Sequence, residues 1–161
     1  MKLNREDTDL RVLWEEVLEL HRDELKQRSI KVTGDYAVRH PVAYFDPHQV
    51  RQVFLNVLRN AMEAMPNGGS IGITMLLADN FLVFQVTDTG AGIPQESLEH
   101  IFDLFFTTKP KGTGLGLAIC RKILRDHGGD IAIDSVAGQG TTVTITLPYR
   151  EFAQVTEKMP V

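Results

Sequence analysis

The sequence predicts a two-layer α/β (α+β) sandwich, with helices covering one face of a mixed, mostly antiparallel sheet. Three observations carry that expectation. Two long segments, residues 9–27 and 46–65, repeat apolar side chains at helical spacing. Several β-rich runs are joined by short polar turns, "ADN" and "AGQG", of the kind that close hairpins. No internal repeat or low-complexity tract divides the chain, and 161 residues suffice for one well-cored domain.

Each element has its own justification. In the first helix Leu10, Leu13, Trp14, Val17, Leu18 and Leu25 share a face, and Thr8 or Asp9 supplies the cap. "SIKVTGDY" and "AVRHPVAYF" read as two short strands, the second interrupted by Pro41. "DPHQVRQVFLNVLRNAMEAMPNGG" is the strongest helix: Asp46 caps it, Pro47 takes the first helical position, and "PNGG" stops it. "SIGITMLLADNFLVFQVTD" reads as a hairpin. Residues 94–112 show little regular pattern beyond a short helix around 98–102. "GLGLAICRKILRDHGG" is a helix ended by two glycines. "DIAIDSVAGQGTTVTITLP" supplies two closing strands, so the domain spans residues 1–149 and 150–161 form a polar tail.

Bulk chemistry narrows the function classes. Net charge is −4 and no strongly basic stretch exists, so nucleic acid is not an expected partner. The single cysteine, Cys120, rules out an internal disulfide and suits a reducing compartment; its helical apolar setting places it in the core. No apolar run approaches the roughly 18 residues of a membrane span, and no secretory leader opens the chain. The expected location is cytoplasmic. Because "MKLNREDTDLRVLWEEVLELHRDEL" reads as the middle of a protein, the parent can still be membrane-anchored.

Three stretches carry chemistry. On the second long helix Asn56, Asn60 and Glu63 fall on one stripe beside the apolar face. Asparagine is a poor helix former, and a hard cation such as Mg²⁺ favours oxygen donors shared with phosphates, although a solvated polar face explains the stripe equally. "FLVFQVTDTGAGIP" runs from a strand into a turn with Gly90 and Gly92, headed by Asp88. That aspartate can accept a hydrogen bond from an exocyclic amine, or simply begin an ordinary turn. "KGTGLGLAI" sets Gly112, Gly114 and Gly116 before a helix, where free N–H groups can face phosphate oxygens. It is neither a P-loop nor a dinucleotide fingerprint. Lys109 and Lys111 lie just upstream, as phosphate contacts or as solvated surface. Between the turns "IFDLFFTTKPK" carries Phe102, Phe105 and Phe106, which suit a lid, an anchor in the core, or both.

Together these segments resemble the ATP-binding catalytic domain of sensor histidine kinases, within the superfamily of gyrase, Hsp90, histidine kinase and MutL ATPases. "NVLRNAMEAM" looks like the asparagine box, "DTGAGI" the first glycine box, "IFDLFFTTK" the phenylalanine box and "GTGLGL" the second glycine box. The resemblance implies that Asp88 binds the adenine amino group, with Gly90, Gly92 and Ile93 shaping its pocket. It implies that Asn60 holds Mg²⁺ and that Asn56 lies near the phosphates. Lys109, Thr113, Gly114, Leu115, Gly116 and Leu117 would surround the phosphates, Thr141 would support Asp88, and residues 94–113 would form the ATP lid. Glu63 replaces the lysine of many members, and "NAMEA" with "LFFTTK" looks like the nitrogen-regulation-type subtype.

Position 56 separates reaction types. By the resemblance, hydrolytic relatives carry a water-activating glutamate there, and the amide of Asn56 cannot act as that base. The nucleophile implied is a histidine brought from elsewhere, with the protein positioning ATP and metal. His21, His40, His48, His100 and His127 all lack the context of a phosphoacceptor, and a cap or dipole role suffices for His127 at its helix end. The expected partners are therefore the dimerisation and phosphoacceptor domain of a parent kinase and, indirectly, a response regulator receiver domain. The isolated domain is expected to be monomeric and the parent homodimeric. The rivals are an anti-sigma-factor-type serine kinase and a non-catalytic nucleotide-binding module.

Overall fold

The structure is a computed structural model and describes residues 2–107 and 116–149. In chain order it contains β1 (Glu6–Asp9), α1 (Leu10–Leu20), α2 (Arg22–Gln27), β2 (Ile30–Tyr36), β3 (Val42–Phe45) and α3 (Pro47–Glu63). Then follow β4 (Gly69–Ala78), β5 (Phe81–Asp88), α4 (Gln95–Leu98), α5 (Gly116–Asp126), β6 (Asp130–Val136) and β7 (Gly140–Pro148). The main sheet has the order β2-β4-β5-β7-β6; β2 and β4 are parallel and every other pair is antiparallel. β1 and β3 form a separate antiparallel ribbon.

Local chemistry accounts for most boundaries. Asp9 caps α1 by accepting the N–H groups of Arg11 and Val12 at 2.9 and 3.1 Å. Asp79 and Asn80, with φ of 50° and 64°, make the two-residue turn between β4 and β5, a left-handed conformation that short polar side chains tolerate. Three expectations need correction. The first helix is two, broken at His21, whose N–H donates to Leu18 O while its ring Nδ1 lies 2.9 Å from Val17 O. β1 exists although "EDTD" has no apolar alternation, because register with β3 supplies its hydrogen bonds. The short helix of the loop begins at Gln95, earlier than the residue pattern indicates.

The core lies between the helices and one sheet face. Trp14 of α1, Phe54 of α3 and Phe84 of β5 meet there with ring centroids 4.9 to 5.3 Å apart. Along β5 the side chains of Leu82, Phe84 and Val86 alternate into this core, and Asp88 continues the same parity. His127 does more than cap α5. Its Nε2 accepts the Asp46 N–H at 3.0 Å and its Nδ1–H donates to Ile123 O at 2.7 Å, so a buried neutral ring joins the end of α5 to the start of α3. This bridge fixes the two helices that flank the open end of the sheet.

Candidate functional site

One register row crosses the sheet at that end: Val32, Ile71, Asp88, Thr141 and Ser135 are paired in turn on β2, β4, β5, β7 and β6. The row is apolar at one side and polar at the other, and Asp88 begins the polar part. Asp88 is only 6% exposed. Burial pushes its carboxyl above the ordinary value, and the backbone amides of Gly90 and Thr141 offset this only in part. The Gly90 N–H reaches Oδ1 at 2.9 Å. A carboxylate in that condition gains from any further donor.

The first glycine turn threads a narrow gap. A Cβ on Gly90 would lie 2.6 Å from Ala64 O, and one on Gly92, where φ is +70°, only 2.2 Å from Val136 O. Three bonds pin the turn: Ala91 N–H to Ala64 O at 3.1 Å, Gly138 N–H to Ala91 O at 2.6 Å, and Ile93 N–H to Ser135 Oγ at 2.8 Å. Residues after α3 and from the β6–β7 hairpin therefore fix the backbone beside Asp88. Ser135 and Gly138 are absent from the sequence-based site; "AGQG" signalled a turn, but not that the turn holds this loop.

Asn56 and Asn60 sit half-buried on α3. Asn56 donates from Nδ2 to Cys120 Sγ of α5 at 3.6 Å, and a Cβ on Gly116 would stand 3.8 Å from the Asn56 amide oxygen. The start of α5 thus faces Asn56. Burial pushes the Cys120 thiol up to about 11, which keeps it protonated near neutrality. Leu117 packs partly against the core. Lys109, Lys111, Gly112, Thr113, Gly114 and Leu115 lie outside the described residues.

The loop after the first glycine turn divides its aromatics. Ile101 is buried, and Phe102 packs on the core beneath the Arg121 guanidinium, 3.7 Å from its ring centre. Leu104 and Phe105, at 65% and 73% exposure, project outward. Anchor and outward-facing surface coexist in one segment. A groove of about 780 Å³ between α1, α2 and the sheet edge at β2 includes none of the predicted site residues. Among the described residues no helix is long and apolar enough to cross a membrane.

A helix-covered sheet with a buried carboxylate and a pinned glycine turn at its open end defines the class: a sandwich ATPase domain. The chain belongs to the family of histidine kinase-, DNA gyrase B-, and HSP90-like ATPases, whose model matches residues 45–151. It is 42% identical over 115 residues to sporulation kinase E of Bacillus subtilis (strain 168), covering 71% of this chain and 16% of that protein. A solved catalytic domain of histidine kinase ThkA is 34% identical with a TM-score of 0.83, over 92% of this chain and 98% of that one. Histidine kinase ThkA in complex with response regulator protein TrrA is 30% identical with a TM-score of 0.80, over 98% of this chain and 44% of that one. The chain spans less than a quarter of the length of sporulation kinase E.

Proposed function

We propose that this domain binds Mg-ATP and donates the γ-phosphate to a histidine on a separate dimerisation domain of its parent kinase, for relay to a response regulator. The observation that carries the proposal is Asp88, buried, pushed up by its burial and aligned with Thr141 at the end of the sheet. Its carboxylate accepts a hydrogen bond from the adenine amino group, on a loop already fixed by Gly90, Gly92 and Ile93. The phosphates extend toward the start of α5 at Gly116, with the roles of Lys109, Thr113, Gly114, Leu115 and Leu117 resting on their motif. Asn60 would hold Mg²⁺ through its amide oxygen, and the ion would supply positive charge to the phosphates.

Asn56 decides the reaction type. Its amide donates to Cys120 and offers no base to activate water, which disfavours hydrolysis, and the likeness to histidine kinases supplies the nucleophile of this reading, an imidazole nitrogen. The new N–P bond forms as the bond from the γ-phosphorus to the β-bridging oxygen breaks, leaving ADP. The exposed Leu104 and Phe105 suit contact with the helix that brings this histidine. The parent is read as a homodimer, the isolated domain as a cytoplasmic-side monomer, and the subtype as nitrogen-regulation-like from "NAMEAM" and "LFFTTK". A serine kinase of the anti-sigma type is disfavoured by Asn56, and a purely binding module by the intact Asp88 and Asn60. Mixing the domain with a separately expressed dimerisation domain and labelled ATP tests this. Base-stable, acid-labile label on the dimerisation domain is expected; label on serine, or on this domain alone, overturns it.

A further inference from the structure

Ser135 of β6 pairs with Thr141 of β7, and its hydroxyl meets three polar atoms at the same separation. It accepts the Ile93 N–H at 2.8 Å, donates to Gly140 O at 2.8 Å, and lies 2.8 Å from Thr141 Oγ1. A hydroxyl has one proton and two lone pairs. The Ile93 N–H can only donate, so it occupies one lone pair. The Gly140 carbonyl can only accept, so it takes the proton. The second lone pair is left for Thr141, whose own O–H must then point at Ser135. With its proton committed there, Thr141 turns lone pairs alone toward the ligand side, next to Asp88, its register partner on β5.

From this chain of bonds we infer that Ser135 is a positioning residue that sets purine selectivity: it makes Thr141 an acceptor, so that Asp88 and Thr141 together select a 6-amino over a 6-oxo purine. The inference rests on the reading of Asp88 as the adenine-binding group. Two further features hold the arrangement in place. β7 starts so close to β5 that a Cβ on Gly140, where φ is +102°, would lie 2.1 Å from Asp88 O. The Gly138 N–H fixes Ala91 O at 2.6 Å, so the Ile93 amide cannot swing away from Ser135 without breaking the adjoining turn. Removing the Ser135 oxygen frees the Thr141 proton to donate outward, which suits a 6-oxo group.

The test measures binding of ATP and of inosine triphosphate, which differ at position 6 of the purine, to wild type, Ser135→Ala, Ser135→Thr and Asp88→Asn. Ser135→Ala is expected to weaken ATP about tenfold, the cost of one orphaned polar group, and to narrow the ATP-to-inosine-triphosphate preference by about the same factor. Ser135→Thr, which keeps the hydroxyl, restores the preference. Thr141→Val should abolish the effect of Ser135→Ala on that ratio, because the two act as one unit. If Ser135→Ala does not fold, Ser135→Cys keeps the volume with a weak hydrogen-bonding group and should narrow the same ratio. An equal loss for both nucleotides, or an unchanged ratio, overturns the role of Ser135 while leaving the site reading intact. Unchanged ATP binding by Asp88→Asn instead overturns the site reading and the inference with it.

Discussion

Two aspartates, Asp46 and Asp88, are buried to nearly the same degree, at 5% and 6% exposure, yet their carboxyls move in opposite directions. For Asp46 burial pushes upward, but the amides of Asn4, Gln49 and His48 together outweigh it and hold the carboxyl below its ordinary value. Its Oδ1 takes His48 N–H at 3.0 Å and Gln49 N–H at 3.4 Å, and its Oδ2 takes Asn4 N–H at 3.1 Å. For Asp88 burial prevails over the amides of Gly90 and Thr141. Surface exposure alone therefore does not account for the opposite directions. The balance of burial against donors does: the amides of Asn4, Gln49 and His48 outweigh burial at Asp46, whereas those of Gly90 and Thr141 do not at the more deeply embedded Asp88.

The sharpest way to break this contrast is to neutralise each group. Asp88→Asn is expected to weaken ATP binding by roughly 10- to 150-fold, the value of a hydrogen bond to a charged group, while raising the urea midpoint of the nucleotide-free domain. Asp46→Ala should do the reverse, costing about 1–2 kcal/mol of stability through the lost cap and leaving ATP affinity within about twofold. Calorimetric titration and urea unfolding of both variants measure the two axes. A loss of stability in Asp88→Asn would erase the distinction.

Next in size is the backbone that carries Asp88. Gly92→Ala forces a side chain to 2.2 Å from Val136 O at a φ of +70°, so about 1–3 kcal/mol of stability and more than a tenfold share of ATP affinity should go together. Gly116→Ala is the control, because its Cβ would meet only ordinary contacts at 3.8 Å. Thermal melts without nucleotide should leave Gly116→Ala unchanged, so a drop in its ATP affinity reports on the ligand and not on the fold.

Acid separates the two aspartates by sign. Asp46 has a depressed folded value, so its contribution is full above the ordinary 3.8 and disappears as pH falls from there through the folded value. Asp88 has a raised folded value, so its burial costs stability above that value, and the cost is relieved as pH falls through it toward 3.8. The stability gap between Asp88→Asn and wild type should thus close first on acidification. The gap between wild type and Asp46→Ala should persist to lower pH. Urea midpoints over an acid series give both curves, and closure in the opposite order contradicts the donor argument.

The same contrast explains what was legible in the sequence. The Asp46 cap, Pro47 at the first helical position and the apolar stripe of α3 are local signals, and the structure reproduces them. The strand-end Asp88 and its glycines are equally local. β1 was hidden because its bonds come from β3, thirty-odd residues away by register and not by residue pattern. Ser135 was hidden for a related reason: "DSV" in an alternating strand gives no sign that its hydroxyl reaches Ile93 on another loop. Asn56 was visible as an unusual helical residue, but its contact with Cys120 depends on how α3 and α5 pack. Groups whose partners lie nearby in sequence could be read; those defined across strands or between helices could not.

The smallest effect belongs to His127, which touches Asp46 and not Asp88. Its ring is neutral by geometry, accepting from the Asp46 N–H and donating to Ile123 O. His127→Gln keeps an acceptor and a donor, but both sit on the tip of a flexible side chain and cannot span the Asp46 N–H and the Ile123 carbonyl with the rigidity of the ring. A net loss of about 1 kcal/mol, one hydrogen bond, is expected in urea unfolding. ATP affinity should stay within about twofold, because the bridge holds the far ends of α3 and α5 while the pocket at Asp88 keeps its own fastening through Ala64, Ser135 and Gly138. A parallel fall in affinity would mean that the two aspartates share one support, and that the division between the two carboxylates is not a division of the molecule.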